Sequence, residues 1–282
     1  MRKIIGTVLS LIFFSSVIFA GQVEKAIQKL QKKETRQEAI MEIEKIGKSV
    51  APQLRQLAKD KEKDQDSRVS AIILLGKLKD GESEIDLENL LEKDEDKFCR
   101  EASAISLGNL NDKKAIPKLK QALKDESGNV RMRAVWALAK MGDKSGKQLA
   151  LDTIQKEKDA THKLLAAEAL GEIGDKDIIP ELEENFKSSD IRTRWYSKVA
   201  IKKIGMANMD EQSRIKYLEK ILNSDEMNNW SAVELVKIGT AEAINALKET
   251  AKNAKNPGSG SAYKVLEKLV EQGKLPKEEL QK

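Results

Sequence analysis

Apolar residues recur along this chain at helical spacing, in short stripes broken by turn residues. Val130, Ala134, Ala137, Leu138 and Met141 lie at offsets of 0, 4, 7, 8 and 11, which puts them on one face of an α-helix. Ala115, Ile116, Leu119, Ala122 and Leu123 form a second, shorter stripe. The pair returns every 31 or 32 residues. This pattern predicts first helices near 34–46, 66–78, 97–110, 128–141, 160–173, 191–204 and 227–238. Their partners are predicted near 49–59, 83–92, 113–124, 145–157, 177–187, 210–223 and 241–253. No stretch alternates apolar and polar residues for long, and no Asn-Gly or Asp-Gly pair joins two β-rich runs. Neither helix of a pair can bury its stripe alone, so the copies must stack. The expected class is all-α.

Several columns repeat with that period. Ile43, Leu75, Leu107, Leu138, Leu170, Ile201 and Leu235 fill one, and the small residues Ala39, Ala71, Ser103, Ala134, Ala166, Ser197 and Ser231 fill another, where neighbouring helices can approach closely. Gly142, Gly174, Gly205 and Gly239 fall at the turn after the first helix, a place for left-handed backbone. Ala51-Pro52, Ile116-Pro117 and Ile179-Pro180 open second helices, where proline's missing N–H costs nothing. The run Val130-Arg131-x-x-Ala134-x-x-Ala137-Leu138-x-x-x-Gly142-Asp143, with an Ile-Pro-x-Leu helix start as at Ile116-Pro117, resembles the short HEAT-like repeat, a variant also known from phycobilisome-lyase-type proteins. The resemblance covers about residues 34–250 and implies a right-handed α-solenoid of about seven helix hairpins plus capping helices. Tetratricopeptide and ankyrin signatures of similar period are missing.

The ends depart from the repeat. Arg2 and Lys3 precede an uncharged stretch from Ile4 to Ala20, the pattern of a secretory signal peptide cleaved after Ala20; an uncleaved anchor is the alternative. Residues 21–33 are expected to cap the solenoid of 34–256, and 257–282 to supply a last helix and a polar tail after the turn cluster Lys255–Ser261. A leader implies a periplasmic or secreted protein without stable membrane insertion once cleaved. Its loss lowers the formal charge from +5 to +3, too little to imply a polyanion.

Candidate chemistry is thin. His162 is the sole histidine and Cys99 the sole cysteine, which removes paired-histidine metal sites and any internal disulfide. Cys99 reads as a small buried hydrophobe and His162 as an exposed helix-start residue. Glu168 stands where its equivalents Ile73, Ile105, Trp136, Val199 and Val233 are apolar, and so reads as half exposed. Arg36, Arg68, Arg100, Arg131, Lys163 and Arg194 form a basic column, expected to pair with acids of the preceding inter-repeat turn such as Asp94, Asp96, Asp125 or Asp159. The charge of the second helices changes sign along the chain, which excludes a continuous nucleic-acid track and suits a protein or peptide partner, or simply a solvated face. Trp136, Trp195, Tyr196 and Trp230 are the candidate binding aromatics, with Tyr196 and Trp230 at equivalent positions and hence expected neighbours; gap-filling is the alternative.

These features lead to the expectation of a non-enzymatic, exported scaffold for proteins or peptides, with no cofactor or metal. By analogy with phycobilin lyases, the second expectation is a lyase- or chaperone-like protein cradling a small molecule. Against that stand the leader, the lack of a histidine-rich site and the lack of any sign of a pocket.

Overall fold

The computed structural model describes residues 20–224 and 226–280, so the expected leader, all but its last residue, lies outside the described residues. Those residues contain helices and turns and no strand. The chain divides into two units between Ile204 and Gly205. The first opens with α1 (20–30), whose Val23, Ala26 and Leu30 are buried. First helices follow as α2 (Arg36–Ile46), α4 (Gln65–Lys77), α6 (Lys97–Leu110), α8 (Gly128–Lys140), α10 (Ala160–Ile173) and α12 (Ile191–Met206). Between them lie the second helices α3 (Ala51–Lys59), α5 (Glu84–Lys93), α7 (Ile116–Ala122), α9 (Lys147–Lys156) and α11 (Ile179–Glu184). In the second unit are α13 (Glu211–Leu222), α14 (Asn228–Ile238), α15 (Ala241–Lys252) and α16 (Ser259–Glu271). The architecture is an α-solenoid of helix hairpins.

Local chemistry sets these boundaries. Asp64, Asp96 and Asp159 cap α4, α6 and α10 by accepting hydrogen bonds from Ser67 N, Phe98 N and Thr161 N at 3.0, 2.7 and 2.7 Å. Pro52, Pro117 and Pro180 sit in the first turn of α3, α7 and α11. The expected second helices near 113 and 177 begin instead as 3₁₀ turns, Lys113–Ala115 and Lys176–Ile178, because Asp112 and Asp175 tie down Lys114 N and Asp177 N first. Gly142, Gly174 and Gly239 have φ of 81°, 64° and 70°, the left-handed turn expected of them. Gly205 does not: α12 runs through it to Met206, and the division between units falls in that last turn.

One continuous apolar core runs from Val23 to Met141. The seven small residues of the repeat column are all 0% exposed. Where the small residue is serine, its hydroxyl is matched: Ser103 donates to Cys99 O at 2.8 Å, Ser231 donates to Leu218 O, and Ser197 accepts from Asn185 Nδ2 at 3.1 Å. Close approach continues along α4, α6 and α8. A Cβ on Gly76 would sit 2.6 Å from Ser106 Cα, and one on Gly108 would sit 2.9 Å from Ala137 Cβ. The leucine column is buried too, except Ile201, which is half-buried while Ala200 and Ile204 face inward. In the second unit Ile215, Leu218, Leu235, Leu247 and Leu266 form the core, and Leu275 and Leu280 of the tail pack on it, with Glu279 paired to Lys248.

Candidate binding surface

The basic column is a ladder between repeats, but its carboxylate partners lie in the following turn and not, as expected, in the preceding one. Arg100 donates to the carbonyls of Asp94 and Glu95 in the preceding turn, at 3.0 and 3.2 Å. Its carboxylate partners come from the following turn, Asp125 at 2.9 and 3.1 Å and Glu126 at 2.9 Å. Arg131 repeats this with Asp125 O, Glu126 O and Glu157, and Arg194 with Ser188 O and Ser189 O. Arg68 bonds Ala58 O at 3.1 Å and makes a two-point pair with Asp94. Arg36 reaches Leu30 O, Asp64 and Asp66. Lys163, 1% exposed, donates to Ile154 O at 2.5 Å and to Thr193 Oγ1, with Asp190 3.4 Å away. Backbone is taken from the turn behind and charge from the turn ahead. Asp96 and Asp159, expected as partners of the column, are helix caps instead.

Second-helix charges are also matched between successive repeats. Arg55 pairs with Asp80 and Glu82, Lys59 with Asp86, Lys118 with Glu92, Lys120 with Asp143 and Lys147 with Asp175, at 2.7–3.0 Å. Lys118 and Lys147 hold the Glu92 and Asp175 carboxyls below the usual range through these bonds. The alternation of sign therefore serves the solenoid itself.

One joint breaks the rule. Asp80, Asp112, Asp143 and Asp175 recur at one turn position, and Asp112 is faced by Glu84, the residue equivalent to Lys147. Glu84 Oε1 is buried without a hydrogen-bond partner among the described residues. Desolvation, then the nearby Asp112 charge, raise the Glu84 pKa. The folded state thus holds that proton more tightly than the unfolded chain does. This contribution is complete below the ordinary carboxyl value and is lost as pH rises through the folded value. E84Q is expected to stabilise the protein at neutral pH by up to about 1 kcal/mol, with no gain in acid. Urea midpoints for both proteins across pH measure it, and an equal shift at every pH would contradict this account.

Between α5 and α7 the second-helix face opens into a groove of about 390 Å³, its mouth included, lined by Leu91, Glu92, Lys118, Gln121, Ala122, Lys124 and Asp125. Leu91 and Ala122 are buried and make an apolar floor, while Gln121 and Lys124 stand exposed at the rim. Nothing in the periodicity announces this groove, because it arises from the gap between two helices that each satisfy the repeat.

The candidate aromatics separate. Trp136 is half-buried, with its ring against Gly108 and Lys140 Nζ 4.7 Å from the ring centroid; burial lowers the Lys140 pKa. It fills a gap. Trp230 is half-buried against the core of the second unit, and Tyr196 is half-buried in the first, so the two lie in different units. Trp195 alone of the four is exposed, at 40%. Leu164, at the equivalent position of α10, is 36% exposed, and Ile191, one turn before Trp195, is 69% exposed.

The remaining candidates are structural. Cys99 is fully buried, and desolvation pushes its thiol up to about 12, so it is no nucleophile. His162 is half-buried rather than exposed, its ring lying on Gly128 of the preceding repeat, where a Cβ would come within 2.2 Å, and its Nδ1 bonded to Glu157. Glu168 is half-buried and 3.4 Å from Arg133, which also reaches Glu101 at 3.3 Å.

The HEAT-repeat family model matches residues 23–108 and 86–161, and the PBS lyase HEAT-like repeat model matches 164–188. The chain belongs to the HEAT-like repeat family. Among solved structures, the complex of CpcE and CpcF of phycocyanin lyase from Nostoc is similar to this HEAT-repeat protein over 82% of this chain and 91% of that one, at 23% identity and a TM-score of 0.49. No curated protein matches the sequence. The match at 164–188, to the repeat named for a lyase, overturns the expectation of a non-enzymatic protein. That expectation rested on missing histidine and cysteine sites. A protein that positions a small molecule needs a binding surface, and neither residue type is required for that.

Proposed function

We propose that this chain is a lyase- or chaperone-like HEAT-repeat protein that cradles a small anionic molecule and works with a protein partner. The observation that carries the reading is the α5–α7 groove, with an apolar floor of Leu91 and Ala122, the Lys118–Glu92 pair in its wall and the exposed Lys124 at its rim. The lyase-type repeat at 164–188 supports the same reading. We further propose that the leader carries the protein to the cell envelope. Mass spectrometry of the envelope fraction tests this, and a chain still beginning at Met1 ends that part of the reading.

Biliverdin, a linear tetrapyrrole dicarboxylate, is the probe of choice by analogy with the lyase whose repeat the chain shares. The wild type is expected to change its absorbance saturably at micromolar concentration. Lys124→Glu is expected to weaken binding several-fold, since a favourable charge at the rim becomes repulsive. A probe indifferent to the wild type, or bound equally by the Lys124→Glu variant, would sink the reading.

A further inference from the structure

The cations at the ends of the first helices are served unevenly. Lys77, Asn109 and Lys140 occupy one repeat position, and Lys77 is paired with Glu44 at 2.7 Å. Lys140, the last residue of α8, is half-buried and has no carboxylate partner among the described residues. Its ammonium lies 4.7 Å from the Trp136 ring centroid, and its one hydrogen bond among the described residues, to Asn109 Oδ1, is 3.4 Å long. A second ammonium arrives at the same asparagine, where Lys79 donates to Asn109 O. Lys79 does so from left-handed backbone, φ 55°, at the repeat position filled elsewhere by Gly47, Asn111, Gly142 and Gly174. Glycine or asparagine is at home there and lysine is strained, so this side chain is kept against the preference of its backbone. The charged groups that face Lys140 are Lys79, in the turn after α4, and Glu172, on α10. Desolvation lowers the Lys140 pKa most, Glu172 opposes it and Lys79 adds to it.

We infer that Lys140 is a nucleophilic amine that forms an imine with a small aldehyde or ketone carrying a carboxylate, and that Lys79 holds this carboxylate. A lysine turns nucleophilic where an apolar wall and a neighbouring cation leave it without its proton part of the time. Trp136 is the wall, Lys79 the neighbouring cation, and no paired carboxylate restores the charge. Lys79 spends one N–H on the Asn109 carbonyl and keeps two donors for an anion. In the reaction the amine lone pair attacks the carbonyl carbon, and the C=O π pair moves to oxygen, which takes a proton. Nitrogen then expels the hydroxyl as water and the C=N bond closes, with nothing oxidised or reduced. These residues end first helices, apart from the α5–α7 groove between second helices, so the inference does not depend on the small-molecule reading.

The test treats the full chain with glyoxylate at neutral pH, with cyanoborohydride present to reduce each imine to a stable carboxymethyl amine, and maps the labelled lysines by tandem mass spectrometry. Lys140 is expected to be labelled several-fold faster than Lys114 and Lys187, whose side chains are 81% and 77% exposed. Glu172→Gln removes the facing charge that favours the ammonium and should speed this labelling further. Lys79→Gly suits the backbone that Gly142 and Gly174 adopt, so its thermal midpoint should not fall. It is expected to slow labelling of Lys140 by glyoxylate about fivefold, the worth of one favourable unit charge at close range in water. Labelling by formaldehyde, which carries no anion, should slow less. Lys140 labelled no faster than Lys114 and Lys187 overturns the inference. So does a Lys79→Gly chain that reacts like the wild type, or one that loses as much with formaldehyde as with glyoxylate.

Discussion

Replacing Arg68 by alanine is expected to destabilise the first unit by about 3–5 kcal/mol, because it strands a buried charge. Arg68 and Asp94 side chains are 7% and 3% exposed, and Arg68 also satisfies Ala58 O at the end of α3. Removing the guanidinium leaves the Asp94 carboxylate desolvated and the carbonyl with one bond fewer. The size of the loss measures that stranding and says little about the net worth of the pair. Arg68→Met with Asp94→Leu should therefore recover most of it, since an apolar pair of similar volume leaves no charge behind. Urea midpoints of the wild type and both variants decide the matter. An Arg68→Ala protein as stable as the wild type would mean that the pair is solvated in solution and that the ladder is ornamental.

Leu138→Ala is expected to cost about 2–5 kcal/mol, through lost transfer energy and the cavity left behind. Leu138 is fully buried in α8, in one core cluster with Ala134, Ala137 and Met141. In a repeat protein such a loss is felt first by the hairpins on either side, since each copy touches only its neighbours. Amide exchange should therefore speed up in α6, α8 and α10 before it changes in Gly205–Lys282, which forms its own compact unit. Uniform loss of protection over the whole chain would show that the two units unfold as one.

Much of the framework is legible from residue type alone, because a fully buried column admits few residues and recurs at a fixed interval. Ala134 and its six equivalents, Leu138 and most of its column, and the proline helix starts all follow from that logic. The rest depends on pitch and stagger, which spacing does not carry. Arg100 finds its carboxylates one turn ahead because the next hairpin's turn is staggered over it, whereas order along the chain pointed to the turn behind. Gly205 has the same spacing as Gly174, yet α12 passes straight through it. Trp136 and Trp195 look alike in sequence. They differ because Gly108 opens a seat for the first, while the second is left 40% exposed. The groove was illegible for the same reason: it is a space between elements, and the sequence describes elements.

The ladder also makes the hairpins interchangeable parts. Arg131 draws on the carbonyls of Asp125 and Glu126 as Arg100 draws on those of Asp94 and Glu95. Joining Glu95 directly to Ser127 would hand Arg131 an identical pair of acceptors and leave Asp94 with Arg68. Gly76, which now meets Ser106, would meet the equally small Ala137. A surgeon of this chain could shorten or lengthen it by whole modules, cutting between the acids and the following cap, and find matching ends each time.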